Sequence, residues 1–345
     1  MMKYLKDISP KSAQDKVCLL RLDFNTEDEW RVERSLQTIK FLKKHFKAVI
    51  LLGHKGRPKK FEQSLSLRFM ARRLSTQLKT PVHFITHFRF NEIQHTVRSA
   101  ERGSVFLLEN LRFLPGEATN DPALGRKLAL LGDCFVNDAF AVSHRSHASV
   151  VAITRYIPSY AGFEFEKEIK ELSHAMDAPK KPLVVVVGGG KIETKFLTIN
   201  NLQKNAAIVL VGGALTDEIL KKRMPKVLFA HDFKKIGSMI KDIGPESARV
   251  FAQHIRTART IIWNGPVGDT DQGFNAGTAA LARSIVKNTK AYSVVGGGET
   301  VMFLRQKKLD TKIDFISTGG GAMLDFLAGK ELPGIKALAH NHARM

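Results

Sequence analysis

Two cysteines in 345 residues are too few for a disulfide framework. Cys18 and Cys134 also lie far apart in the chain, so no covalent staple is expected and a reducing, cytoplasmic setting is the default. No apolar run approaches the length of a membrane span, and the opening MMKYLKDISPKSAQDK lacks the apolar heart of a signal peptide. Acidic residues are scarce: 33 Asp and Glu face 54 Lys and Arg, for a net charge of +21. The excess is evenly spread, with 26 basic against 15 acidic residues over 1–150 and 28 against 18 over 151–345. That excludes a basic tail built for nucleic acid. No recognition motif for specific nucleic-acid binding occurs either. Polyanionic substrates, adhesion to cellular polyanions and adaptation to a salty cytoplasm stay open as sources of the charge. Low-complexity segments and fixed-period repeats are missing too.

What is present reads as a globular protein, with 43% hydrophobic and 25% charged residues. The length exceeds what one ordinary core serves and predicts two domains. Five runs in the second half, rich in β-branched residues, end in glycine: VVVVGGG (Val184–Gly190), IVLVGG (Ile208–Gly213), IIWNGPVG (Ile261–Gly268), SVVGGG (Ser293–Gly298) and FISTGGG (Phe315–Gly321). Val and Ile suit strands of a parallel sheet covered on both faces. Ligands of open α/β sheets bind where such strands end, and glycine lets them approach the main chain. Five such ends on one rim predict a nucleotide site.

The first half alternates strand and helix as well. Strands are expected at Val17–Phe24, Ala48–His54, Ser104–Asn110 and Cys134–Phe140, and SLQTIKFLKKHF reads as a helix. Leu67, Met70, Ala71, Leu74 and Leu78 keep helical spacing, with Ser64 or Ser66 as the expected cap. The fold class is therefore α/β, with two doubly wound parallel-sheet domains joined by a helix. The boundary falls at the charged stretch FEFEKEIKELSHAMDAPKKP, in which Ile169, Leu172 and Met176 share a face and Pro179 and Pro182 end the helix.

The two halves end their strands with different chemistry. First-half ends carry Arg21, Asp23, Asn25, His54, Arg57, Arg112, Asn137, Asp138, His144 and Arg145. Guanidinium groups grip phosphate and carboxylate bidentately, so a pocket for a small polyanion is expected. In GGGKIETK, Lys191 and Lys195 are four apart, which puts both on one face of a following helix, near amides that would hold polyphosphate. The segment is not a Walker A loop, because Val185 stands at the first glycine position, and no GxGxxG opens the first strand–helix turn. A dehydrogenase therefore lacks its cofactor fingerprint. Glu299 in GGGET either caps a helix or meets a Mg²⁺ carried by a nucleotide. The His144–His147 pair lacks the cysteine or glutamate partners of a zinc site.

Together these segments resemble phosphoglycerate kinase, in order and across nearly the whole chain. The resemblance is carried by LRLDFN, LLGHKGRPK, LLENLRF, VNDAFAVSHRSHAS, AGFEFEKEI, VVVGGGKIETKF, VGGAL, DIGPES, TIIWNGPVG, FNAGT, VVGGGET and STGGGAMLDFLAGKELPGIKAL. It implies reversible phosphoryl transfer between 1,3-bisphosphoglycerate and MgADP, giving 3-phosphoglycerate and MgATP. Carried over by motif, Asp23, Phe24, Asn25, Arg31, His54, Lys55, Gly56, Arg57, Arg112, His144 and Arg145 would bind the glycerate substrate. Arg31, Lys191 and Lys195 would be catalytic. Gly189, Gly190, Lys195, Gly212, Gly213, Asn264, Gly265, Pro266, Asp271, Gly297, Gly298, Glu299 and Thr300 would face the nucleotide, with Glu299 at its Mg²⁺. The implied division is an acceptor-binding domain over 1–162, a connecting helix and linker over 163–182, a nucleotide domain over 183–328, and a segment over 329–345 returning to the first domain. A monomer is expected. The chain departs from the family in having Glu299 for Asp, Asp271 for Glu and Ala141 for Gly, and in shortened segments between Asn25 and Arg31 and between Leu220 and Asp242. A second reading is a non-catalytic relative that uses its positive charge to bind a polyanion such as RNA.

Overall fold

The computed structural model describes residues 2–25, 29–190, 195–213 and 224–341. The chain divides into two compact units, one formed by residues 1–167 with 331–345 and the other by residues 168–330.

The first unit is built on strands β1 (Val17–Arg21), β2 (Ala48–Leu52), β3 (Val82–Ile85), β4 (Ser104–Leu108), β5 (Cys134–Asn137) and β6 (Ser159–Ala161). They form one sheet in the order β3-β4-β2-β1-β5-β6, with every pairing parallel. Both faces are covered. Cys18 and Leu20 of β1 enter one buried cluster with Leu42, Phe46 and Leu74, while Val17 and Leu19 enter another with Phe135, Leu128 and Ile153. Each such side chain, fully buried, contributes roughly 1.5–3 kcal/mol. The helices are α1 (Pro10–Ala13), α2 (Glu29–His45), α3 (Arg68–Leu78), α4 (Phe90–Ser99) and α5 (Pro122–Ala129), followed by α6 (Phe163–Asp177), which runs on into the second unit.

The strands stop sooner than the apolar pattern implies. β1 ends at Arg21 rather than Phe24, and β5 at Asn137 rather than Phe140. The polar residues that follow leave the ladder and turn over the rim. The cap of α3 also differs from expectation: Leu67 is the N-cap, and Ser66 Oγ accepts from Arg68 N at 3.3 Å from one position outside. The same hydroxyl donates to Glu109 Oε2 at 2.7 Å. β3 and β6, at four and three residues, are too short to be expected from sequence, and α4, in which Phe90, Ile93 and Val97 keep helical spacing, adds to the expected elements.

The second unit has strands β7 (Leu183–Val187), β8 (Ile208–Val211), β9 (Val227–Phe229), β12 (Thr260–Asn264), β13 (Tyr292–Gly296) and β14 (Phe315–Ile316). Their order is β14-β13-β12-β7-β8-β9, again parallel throughout. All five glycine-ended runs belong to this sheet, so parallel pairing puts their glycines on one rim. A separate antiparallel hairpin joins β10 (Phe233–Ile236) to β11 (Met239–Ile243). The helices are α7 (Phe196–Asn205), α8 (Pro245–Thr257), α9 (Ala276–Lys287), α10 (Gly298–Gln306) and α11 (Gly321–Leu327).

A final helix, α12 (Pro333–Ala339), belongs to the first unit. Gly334 N donates to Ser143 O at 2.9 Å, and Asn341 Oδ1 accepts from Ser159 N at 3.1 Å.

Candidate active site

In the second unit the rim closes around a cavity of about 230 Å³ lined by Gly189, Gly190, Gly213, Ile240, Lys241, Pro266, Gly268, Asp269, Thr270, Asp271 and Glu299. Glycine is required by geometry beside it, next to the lining residues Gly189 and Pro266. Gly265 has φ +90°, and a Cβ there would lie 2.2 Å from Gly188 O. The ends of β7 and β12 can thus touch main chain to main chain. The Lys195 ammonium crosses this junction: Nζ donates to Gly188 O and sits 3.2 Å from the point a Gly189 Cβ would occupy. Burial lowers the pKa of Lys195, opposed by the Glu299 carboxylate.

Lys195 is the N-cap residue of α7, which starts at Phe196; its backbone is helical, at φ −97° and ψ −3°, and its side chain lies over the glycines. Lys191 lies outside the described residues. Gly212 stands behind the cavity, where a Cβ would come 2.7 Å from Val267 Cγ1. Asn264 is buried and donates to Met323 Sδ at 3.6 Å. Gly297, at φ +94°, is the N-cap of α10, and Gly298, Glu299 and Thr300 form its first turn. Thr300 Oγ1 is buried and has no hydrogen-bond partner among the described residues.

The hairpin brings residues that sequence reading missed. Lys241 Nζ donates to Asp269 Oδ2 at 3.0 Å and to Gln272 Oε1 at 2.9 Å, pinning the turn that carries Asp271. Only a lysine beside the DIGPES segment hints at it in the sequence. Among the described residues no group of three or more His, Cys, Asp or Glu side chains could hold a metal ion. Glu299 lines the cavity with Asp269, Asp271 and Lys241, and its charge acts on the Lys195 ammonium. That donor set fits a Mg²⁺ arriving on a polyphosphate, because Mg²⁺ takes one or two protein oxygens and completes its shell with phosphate and water.

The first unit gathers the predicted Arg, His and Asn residues beyond β1, β2, β4 and β5. Asn25 Oδ1 accepts from Gly56 N at 2.7 Å, while Asn25 N donates to Asp23 Oδ1 at 3.0 Å. Arg31 Nη1 approaches Asp23 Oδ2 at 3.8 Å. The loop carrying Lys55 is tied to Asn110, whose Oδ1 accepts from Lys55 N at 3.2 Å and from Arg112 N at 3.0 Å. The ring of Phe24 is buried under Gly53, where a Cβ would lie 2.2 Å from Cδ2. Phe24 therefore shapes the loop from below.

The cations crowd one another. Burial lowers the pKa of Arg112, which Glu117 opposes and Arg145 and Arg57 reinforce. Arg145 is lowered likewise by burial, then by Arg57. Such clustering leaves positive charge that an anion would neutralise. Arg145 Nε donates to His144 Nε2 at 3.1 Å, and Arg112 Nη2 donates to His147 Nε2 at 2.6 Å. His147 thus serves an arginine. Arg21, expected at this rim, lies in the cluster, and His147, Glu117, Ser149 and Asn110 complete it although sequence reading assigned those four no role there. In sequence Glu117 and Ser149 look like ordinary loop residues.

A double parallel-sheet scaffold with one glycine rim and one guanidinium rim defines a two-domain α/β phosphotransferase. The profile of phosphoglycerate kinase matches residues 5–228 and 223–330. Phosphoglycerate kinase of Thermosipho africanus is 38% identical over 394 aligned positions, covering 97% of each chain, and that of Moorella thermoacetica is 36% identical over 97% of this chain and 98% of its own. The crystal structure of phosphoglycerate kinase from Pyrococcus horikoshii superposes with a TM-score of 0.86 at 30% identity, covering 98% of both chains. That from Coxiella burnetii gives 0.82 at 30% identity, covering 99% of this chain and 100% of its own. The chain belongs to the phosphoglycerate kinase family, and so to the phosphotransferases that act in glycolysis and bind nucleotide. These likenesses do not favour the reading as a binding protein alone. No described helix is long and apolar enough to cross a membrane.

Proposed function

We propose that this chain transfers a phosphoryl group reversibly between 1,3-bisphosphoglycerate and MgADP, giving 3-phosphoglycerate and MgATP. One observation carries the reading: the half-buried Lys195 ammonium lies across the glycine junction of β7 and β12, within reach of a cavity lined by Glu299. Gly189, Gly190, Gly213, Pro266 and Asp271 would receive the nucleotide there, backed by Gly212, Asn264, Gly265, Gly297, Gly298 and Thr300. Glu299 would take the nucleotide's Mg²⁺, which supplies charge neutralisation on the phosphates.

Asp23, Asn25, His54, Lys55, Gly56, Arg57, Arg112, His144 and Arg145 would hold the glycerate, with Phe24 shaping the loop beneath. The acceptor in the ATP-consuming direction is a carboxylate, already ionised near neutral pH, so no general base is required. Arg31, Lys191 and Lys195 would stabilise the transferring group, since phosphoryl transfer is chiefly positioning and charge neutralisation. The acceptor domain over 1–162 with segment 329–345, and the nucleotide domain over 183–328, would close about the 163–182 connector for in-line transfer. The protein would act as a monomer without a specific nucleic-acid partner, in the cytoplasm.

A coupled assay tests the proposal. The expected result is 1,3-bisphosphoglycerate formed from ATP, Mg²⁺ and 3-phosphoglycerate. No product, with nucleotide binding intact, would overturn it.

A further inference from the structure

Beneath the arginine cluster lies a buried carboxylate that none of the roles above employs. Glu117 exposes 0% of its surface. Its Oε1 accepts from Ser149 Oγ at 2.6 Å and its Oε2 from Ser149 N at 3.0 Å. Having donated its proton to Glu117, the Ser149 hydroxyl accepts from Arg21 Nε at 2.9 Å. Arg21 is equally buried, and its Nη2 meets His54 Nδ1 at 2.7 Å. A guanidinium can only donate, so His54 Nδ1 is the bare nitrogen and the ring proton sits on Nε2. His54 Nε2 is buried and has no hydrogen-bond partner among the described residues. A buried donor left open in this way is available to a ligand atom.

A second arm reaches the same carboxylate. Arg112 Nη2 donates to His147 Nε2 at 2.6 Å, which leaves the proton of that ring on Nδ1, 3.9 Å from Glu117 Oε1. The His54 and His147 rings meet edge to face at 5.4 Å. One carboxylate thus underlies two arginines and two imidazoles.

We propose that Glu117 is a positioning residue for the acceptor site: through Ser149 and Arg21 it fixes His54 as a neutral imidazole whose Nε2–H is kept for the bound anion. The proposal rests on reading the arginine rim as the acceptor site. Neutral rings are what the surroundings demand. Burial, then Arg21, Arg112, His147 and Arg145, drive the pKa of His54 far below its ordinary value. Burial, then Arg112, Arg21, Arg145 and His144, bring His147 down to about 3. Glu117 and Asp23 are the carboxylates that raise Arg21 against its burial. Losing the Glu117 charge would free Arg21 Nε and the serine to rearrange, and with them the ring proton.

Two variants of the full chain test this, Glu117→Gln and Ser149→Ala. The second keeps the carboxylate and only severs the relay, so it serves if the first fails to fold. In ligand-free protein, ¹⁵N NMR of the histidine side chains should show His54 as a pure Nε2–H tautomer. Both variants should convert it to a tautomer mixture, and Glu117→Asp should restore much of the parent pattern. In steady-state kinetics the KM for 3-phosphoglycerate should rise about tenfold, as loss of a charge-assisted contact implies, with the KM for ATP unchanged. An unchanged His54 tautomer in both variants overturns the proposal. So does a fall in kcat with both KM values unmoved. The tautomer readout needs no turnover, so an inactive parent would sink the kinase reading while this relay is still judged by NMR.

Discussion

Lys195 holds its charge in an unfavourable position, which is what its proposed role at a phosphate would use. Its ammonium is held against Gly188 O in a half-buried place, and desolvation lowers its pKa. A phosphate group would add to the anionic support that Glu299 gives it. Replacing Lys195 with Ala should lower kcat by roughly 10² in the coupled assay, the usual effect of removing a cation from developing charge. An unaltered kcat would remove it from that role. A different buried charge governs stability. Asp138 Oδ1 accepts from Glu164 N and Phe165 N at 2.9 and 3.1 Å, yet burial raises the carboxyl pKa from 3.8 to about 6. A raised carboxyl is protonated in the fold at low pH, and its stabilising contribution is lost as pH climbs from about 4 through 6. Above that window the ionised form costs the first unit up to ~3 kcal/mol. Asp138→Asn, neutral throughout, should therefore gain on the parent in denaturation midpoint at pH 8 but not at pH 4. Equal differences at both pH values would refute the assignment.

Among the elements, strand ends are where fold and chemistry meet. The turn after β12 depends on Gly265, whose φ of +90° and contact with Gly188 O admit no side chain. Gly265→Ala should destabilise the second unit by about 2 kcal/mol or more and weaken MgADP binding, measured by denaturant titration and calorimetry. A variant with parent stability would show that the β7–β12 junction can relax. The β10–β11 hairpin is the element at the cavity that sequence reading passed over. Its alternation is short, with Lys234, Lys235 and Lys241 interrupting the apolar residues, so its pairing is visible only once Phe233 faces Ile243 across the turn. That pairing delivers Ile240 and Lys241 to the cavity wall.

At the scale of the whole molecule, the chain leaves the first unit along α6, builds the second and comes back as α12. The return is well anchored: Leu332 and Leu338 are buried, and Asn341 Nδ2 donates to the carbonyls of Thr154 and Ile157. Removing residues 331–345 should lower the unfolding midpoint of the first unit and leave that of the second unchanged, with MgADP still raising the latter. Equal loss in both units would mean that the segment stabilises the molecule in some other way.

Much of this was already legible in the order of residues. Val and Ile runs ending in glycine, and alternation with helical spacing, determine two parallel sheets, because parallel strands buried on both faces leave no other composition and each strand's end must turn on glycine or polar residues. The arginines, histidines and lysines at those ends are equally visible. Pairing across the sheet is not. Cys18 and Cys134, far apart in the chain, are neighbours on β1 and β5, and the register that joins them is set by packing. The same holds for Glu117 and Ser149 under Arg21, for Lys195 folding back over the glycines, and for the hairpin lysine. Each depends on which buried polar group is left to find which partner once the backbone has closed, and only the tertiary structure decides that.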